Sequence, residues 1–174
     1  MKFVRWKRFT WDLALLPTPT QMVVEKYTLR PATVEDHKTV AHLIHSSFSL
    51  DPAWGDAMAM VKDWLAAQID AAFEREAVPA MVIAHGTRII AASAITTDSG
   101  ADTHLISGPC VSIEYRNRGL GTLLLHHTLH QLRHSGLIQV NGIAKENLPA
   151  AKFVYPKFGA VVQEYDFEPA LVRT

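Results

Sequence analysis

Apolar positions along the chain switch between two periods, and the switches divide it into elements. Residues 22–29 alternate and read as a first strand that ends at Arg30-Pro31. Ala32-Thr33 then offers an N-cap, with Glu35 and Asp36 in the first turn, where carboxylates suit the helix dipole. Val40, Leu43, Ile44 and Phe48 recur at three- and four-residue steps, the buried stripe of a helix. Asp51-Pro52 and Gly55 make a loop, after which Met58, Val61, Trp64, Leu65 and Ile69 resume helical spacing. Residues 80–84 and 88–95 are apolar runs around His85-Gly86-Thr87, a hairpin by its turn chemistry. A third antiparallel strand is expected over 104–113, with Gly108-Pro109 awkward inside it: proline donates no N–H and glycine often marks a bulge. The next helix, 121–134, sets Leu124, Leu125, Leu129 and Leu132 with Leu120 on one face. His126, His127, His130 and His134 gather opposite; such a face could take up a transition metal, but it reads as the solvated side of the helix. A strand over 137–143, a helix over 147–158 stopped at Gly159, and a strand over 161–167 complete the pattern.

Composition narrows the class. A chain of 174 residues with 48% hydrophobic content fits one compact domain with a sizeable core. Lys plus Arg and Asp plus Glu stand at 17 each, so the formal charge is zero and a broadly basic nucleic-acid binder is disfavoured. One cysteine, Cys110, rules out an internal disulfide framework and fits a reducing, cytoplasmic setting. No apolar run approaches the roughly 20 residues that cross a bilayer, so no membrane partner is expected. Residues 1–21 differ from the rest. Lys2, Arg5, Lys7 and Arg8 stand among Phe3, Trp6, Phe9 and Trp11, and Thr18-Pro19-Thr20 reads as a linker. They are expected to be a basic, aromatic extension tied loosely to a domain spanning 22–174.

The stretch from Val111 to Thr122 carries the chemistry. It reads as a strand end, a glycine-bearing turn and the first turn of the 121–134 helix. Helix-start amides lack intrahelical partners, and the dipole adds partial positive charge there. Gly119 and Gly121 have no Cβ, so a phosphate can approach the main chain, with Arg116 and Arg118 beside it. This is an anion cradle. A P-loop would need Lys after Gly121, and Leu124 stands where a dinucleotide fingerprint wants its third glycine. What remains is Arg-x-x-Gly-x-Gly, Arg116 to Gly121, preceded by Val-x-x-Glu-Tyr. It resembles the acetyl-CoA signature of the GNAT superfamily of N-acetyltransferases. The opening Tyr-Thr-Leu-Arg-Pro-Ala-Thr-Val-Glu-Asp, residues 27–36, resembles how such domains begin. A second segment is similar to the family's Asn-x-x-Ala-x-x-Leu-Tyr-x-Lys-x-Gly-Phe. Ala151, Tyr155, Lys157 and Gly159 hold their mutual spacing, Asn147 lies one residue too far upstream, and Ala160 replaces the aromatic.

The resemblance implies an α+β fold: a central mixed sheet of six or seven strands flanked by helices. Its fourth strand would splay from its fifth at a bulge, and the acyl-pantetheine would lie in the opening. It also implies acetyl-CoA as cosubstrate, held by Cys110, Val111, Arg116, Asn117, Arg118, Gly119, Leu120, Gly121, Thr122 and Asn147, with Tyr155 as the acid for the departing thiolate. A phenol with a pKa of about 10 can donate at neutral pH. An unpaired backbone N–H near Cys110–Val111 would face the oxyanion. Phe48, Asp51, Trp54 and His104 are candidates for the acceptor side, the acceptor being a small-molecule or peptide amine. Residues 137–143 hold no carboxylate, so the general base stays open, with Glu114 and Glu146 nearby in sequence. No metal is expected, since His42 and His45 lack a third ligand. Family members often pair, so a homodimer is compatible. Two rivals stand: a CoA-binding sensor that lost catalysis, and a nucleic-acid binder using the basic extension. Cys110 as an acyl-carrying nucleophile lacks an evident histidine partner.

Overall fold

The computed structural model describes residues 5–18, 26–50 and 57–166, with the side chains of 57–60 excepted. Among them are seven strands and four α-helices: β1 (Trp6–Asp12), β2 (Tyr27–Pro31), α1 (His37–Leu50), α2 (Ala57–Arg75), β3 (Ala80–His85), β4 (Arg88–Ala94), β5 (Cys110–Val111), α3 (Leu120–His134), β6 (Gln139–Lys145), α4 (Pro149–Phe153) and β7 (Val161–Tyr165). They form two antiparallel sheets, ordered β2-β3-β4-β5 and β6-β1-β7. Leu105 joins them, bridging Ile95 on one side and Gly142 on the other.

Local chemistry explains most boundaries. Thr33 donates its backbone N–H to the Asp36 carboxylate at 2.8 Å, and Arg30 donates to the same group at 2.7 Å. That pair starts the helical run the sequence places there. Gly86 turns the β3–β4 hairpin with φ +63°. Every residue of β3 but its last is buried, because α1 and α2 pack on one face while α3 covers the other. On the second face, Leu120 and Leu124 meet Met81, Ile83 and Ile90.

Three elements differ from their expected form. β5 spans two residues rather than the ten of 104–113. Gly108 sits at φ +63°, and Pro109 has no N–H for a ladder, so the strand breaks there. α4 ends at Phe153 instead of 158, because Pro156 disfavours helical backbone at Tyr155. The largest difference lies at the N-terminus. Trp6–Asp12, expected within a loose extension, is the central strand of its sheet, antiparallel to both β6 and β7.

The composition of β1 hid this role. Its basic residues serve the sheet itself: Lys7 pairs with Glu146 at 3.6 Å, and the Arg8 guanidinium lies 4.9 Å from the centroid of the Tyr165 ring. Its aromatics face the core, Trp11 at 0% exposure with its indole N–H donating to the Lys157 carbonyl at 2.9 Å. Truncating such a residue removes packing and leaves a cavity. Trp11→Ala should therefore cost about 3–5 kcal/mol in urea unfolding, and deleting residues 1–12 should yield no cooperative transition. A deletion that unfolds cooperatively at full stability would restore the loose extension.

Candidate functional site

Beyond Leu105 the two sheets part, because β5 continues the first sheet while β6 edges the second. A cavity of about 550 Å³ occupies the gap and reaches the start of α3. Its wall includes Phe48, Cys110, Val111, Arg116, Asn117, Gly119, Leu120, Gly121, Thr122 and Tyr155.

At one end lies the glycine turn. Asn117 at φ +64° and Gly119 at φ +77° are both left-handed, so main-chain N–H groups curl toward one side. The first intrahelical bond runs from Leu123 N–H to the Gly119 carbonyl at 3.1 Å, which leaves the amides of Leu120, Gly121 and Thr122 without helical partners. A Cβ on Gly119 would meet no protein atom within 4 Å, so the space above the turn is open to a ligand. One on Gly121 would reach ordinary contact, 4.0 Å, with Val111 and Val154, so that residue seats the helix between β5 and the residue that follows α4. Arg116 is fixed by donation from Nε to the Val111 carbonyl at 3.1 Å. These features fit a diphosphate.

Val111 pairs with Ala91, and the neighbouring Ser112 N–H donates to the Ile90 carbonyl at 2.8 Å. In an antiparallel ladder bonded pairs alternate with unbonded ones, so the main-chain groups of Val111 point away from β4. Its carbonyl accepts from Arg116 and, at 3.4 Å, from the Ser47 hydroxyl. Its N–H points into the gap, where a reacting carbonyl can be polarised.

Tyr155 is 3% exposed, with its ring 5.2 Å from Phe9 and 5.9 Å from Trp11 between centroids. Gly142 makes the room: a Cβ there would crowd Trp11 at 3.2 Å and Tyr155 at 3.2 Å. A Cβ on Gly108 would fall on the Tyr155 hydroxyl. The broken strand thus aims the phenol at the gap, and burial raises its pKa above the ordinary phenol range. Cys110 is buried nearby, its thiol pushed up to about 12, chiefly by burial. It is a neutral wall group, not a thiolate nucleophile.

Other sequence candidates fall elsewhere. The side chain of Arg118 leaves the cavity to donate to the Tyr27 hydroxyl at 3.1 Å, over the Tyr115 ring. Asn147 is exposed on the turn before α4 and is absent from the cavity wall, where Leu148 and Pro149 stand. His104 is buried outside the cavity; its Nδ1 accepts the Asn141 N–H at 3.0 Å, and burial lowers its pKa, so it stays neutral. Asp51 and Trp54 lie outside the described residues. Glu114 pairs with Arg88 at 3.0 Å and Glu146 with Lys7. Among the described residues no carboxylate lines the cavity, and no three His, Cys, Asp or Glu side chains gather to hold a metal. Sequence reasoning missed Trp6, Trp64, Ile106 and Phe153 on the wall. Trp6 was hidden by the reading of its strand as an extension. Phe153, 69% exposed at the mouth, signals itself only by its exposure.

No described helix is long and apolar enough to cross a membrane. No curated protein matches the chain significantly. Solved structures share its fold. A Drosophila protein aligns at 15% identity and TM-score 0.63, over 92% of this chain and 49% of its own. A GCN5-related N-acetyltransferase from Sphaerobacter thermophilus aligns at 16% and 0.61, over 94% and 50%. One from Kribbella flavida aligns at 14% and 0.56, over 92% and 55%. The chain spans about half the length of these proteins. The family model described as the acetyltransferase (GNAT) family matches residues 39–160, from α1 through the cradle to the end of the Tyr155 segment. Because that match covers more than half of the sequence, the chain belongs to the GNAT acetyltransferase family.

Proposed function

We propose that the protein is an N-acetyltransferase that moves an acetyl group from acetyl-CoA to a primary amine by direct attack. The observation that supports this best is one continuous cavity, walled by the amide-lined turn at one end and by both Val111 and Tyr155 along its length. In this reading the amides of Leu120–Thr122 hold the diphosphate of the cosubstrate and Arg116 adds charge. The pantetheine arm runs along Val111 toward Tyr155. Attack forms the N–C bond; the Val111 N–H polarises the acyl oxygen; the C–S bond breaks as the Tyr155 hydroxyl protonates the leaving sulfur. The phenolate regains its proton from water, which takes up the one the amine loses. The amine gives up its own proton to water, which suits amines of low pKa, since no described carboxylate lines the cavity.

The same lack of a carboxylate favours a second reading, a CoA-binding module without turnover. Release of free thiol from acetyl-CoA with a panel of amines separates the two. Amine-dependent thiol release is the expected result; tight CoA binding without it would leave only the binding module.

A further inference from the structure

The histidine face of α3 is not uniformly solvated. His126 is 7% exposed, with its ring stacked on Phe158 at 4.4 Å between centroids and 18° between planes. His130, one helical turn on, is half-buried. Both rings converge on the main chain that leaves β1. The Pro17 carbonyl oxygen lies 2.9 Å from His126 Nε2 and 3.1 Å from His130 Nε2, and the two nitrogens are 3.2 Å apart. Neither histidine lines the cavity described above.

The placements of protons open to this triangle either crowd it or leave lone pairs opposed. If both nitrogens carry hydrogen, both donate to the two lone pairs of the carbonyl, but with the nitrogens 3.2 Å apart the two hydrogens are held close together. If one nitrogen is bare, it accepts from its neighbour but turns its lone pair toward the carbonyl oxygen. A cation removes the conflict, because all three atoms then present lone pairs to one point. At the metal–nitrogen distance of about 2.1 Å usual for first-row ions, edges of this length subtend roughly 90°, as on one face of an octahedron. A helix supplies two such nitrogens at a spacing of four residues, and the third donor is main chain.

We propose that His126 Nε2, His130 Nε2 and the Pro17 carbonyl form a site for a divalent first-row transition ion such as Zn(II) or Co(II), with water in the remaining positions. The ion would fasten the connection between β1 and the rest of the chain to the helix that carries the glycine turn. It is a structural clamp, apart from the acyl-transfer chemistry. The stack on Phe158 fixes one ligand ring, as positioned ligands require.

The test uses the full chain, stripped with a chelator and titrated with Zn(II), read by calorimetry and by thermal unfolding. One ion per chain and a higher Tm are expected. His130→Ala should weaken binding by roughly 100-fold or more and abolish the Tm rise. His134→Ala should leave both unchanged, since that exposed residue lies one turn beyond the triangle. His126→Gln should behave as His130→Ala; should that variant fail to fold, the His130 result decides. No saturable binding by the parent chain would overturn the proposal. So would binding retained in His130→Ala or lost in His134→Ala.

Discussion

Gly119→Val should reduce CoA affinity by roughly 100-fold or more while leaving a folded, cooperative protein. The two effects separate because of where this glycine sits. Its φ of +77° is left-handed, which costs a β-branched residue about 1–2 kcal/mol, a loss that a domain of ordinary stability survives. Apart from its neighbours in the chain, no atom lies within 4 Å of the new Cβ, so the branch point meets no packed side chain. The added methyl groups occupy instead the space from which a diphosphate meets the amides of Leu120 and Gly121. Each charge-assisted bond lost is worth about 1.5–3 kcal/mol, and two of them account for the expected fall. Gly136→Val supplies the control. Its φ of +103° is equally left-handed and its Cβ also meets nothing within 4 Å, but it lies at the far end of α3. Equal CoA affinity in the two variants, by calorimetry, would remove the glycine turn from the binding site.

The cradle was legible because its chemistry is local. A turn, a helix start and two glycines lie within one short stretch, and their consequences need no distant partner. The α1 stripe and the β3–β4 hairpin were legible for the same reason: period and turn residues are written in neighbouring positions. β1 was not. Its membership depends on pairing with β6 and β7, more than a hundred residues away, and Lys7 and Arg8 interrupt the alternation that would have flagged Phe9 and Trp11. The strand expected over 104–113 carried its own warning in Gly108-Pro109. What the sequence did not disclose is that the break makes room for the Tyr155 hydroxyl. The histidines of α3 were assigned to solvent from helical geometry alone, which cannot see that Phe158 and Pro17 close over two of them. Asn147 shows the limit of motif spacing: its one-residue offset places it on an exposed turn outside the cavity.

Tyr155→Phe is expected to lower kcat by about 100-fold or more with CoA affinity nearly unchanged. The substitution keeps the ring, and with it the stacking on Phe9 and Trp11 that seats this segment against β1. Only the hydroxyl over Gly108 is lost, so a change confined to kcat reports a proton or hydrogen bond delivered during reaction, while a change confined to KM would report a binding contact. Burial strengthens the prediction through pH. A phenol in water ionises near pH 10, but burial, with the neighbouring Cys110 adding to it, keeps this one protonated well above that value. The parent protein should therefore show no loss of kcat from tyrosine ionisation up to pH 10, and the ratio of parent to variant should stay constant across that range. A ratio that closes between pH 9 and 10 would mean that the hydroxyl sits in water rather than in the core. A variant within about threefold of the parent at every pH would remove Tyr155 from the proton path altogether.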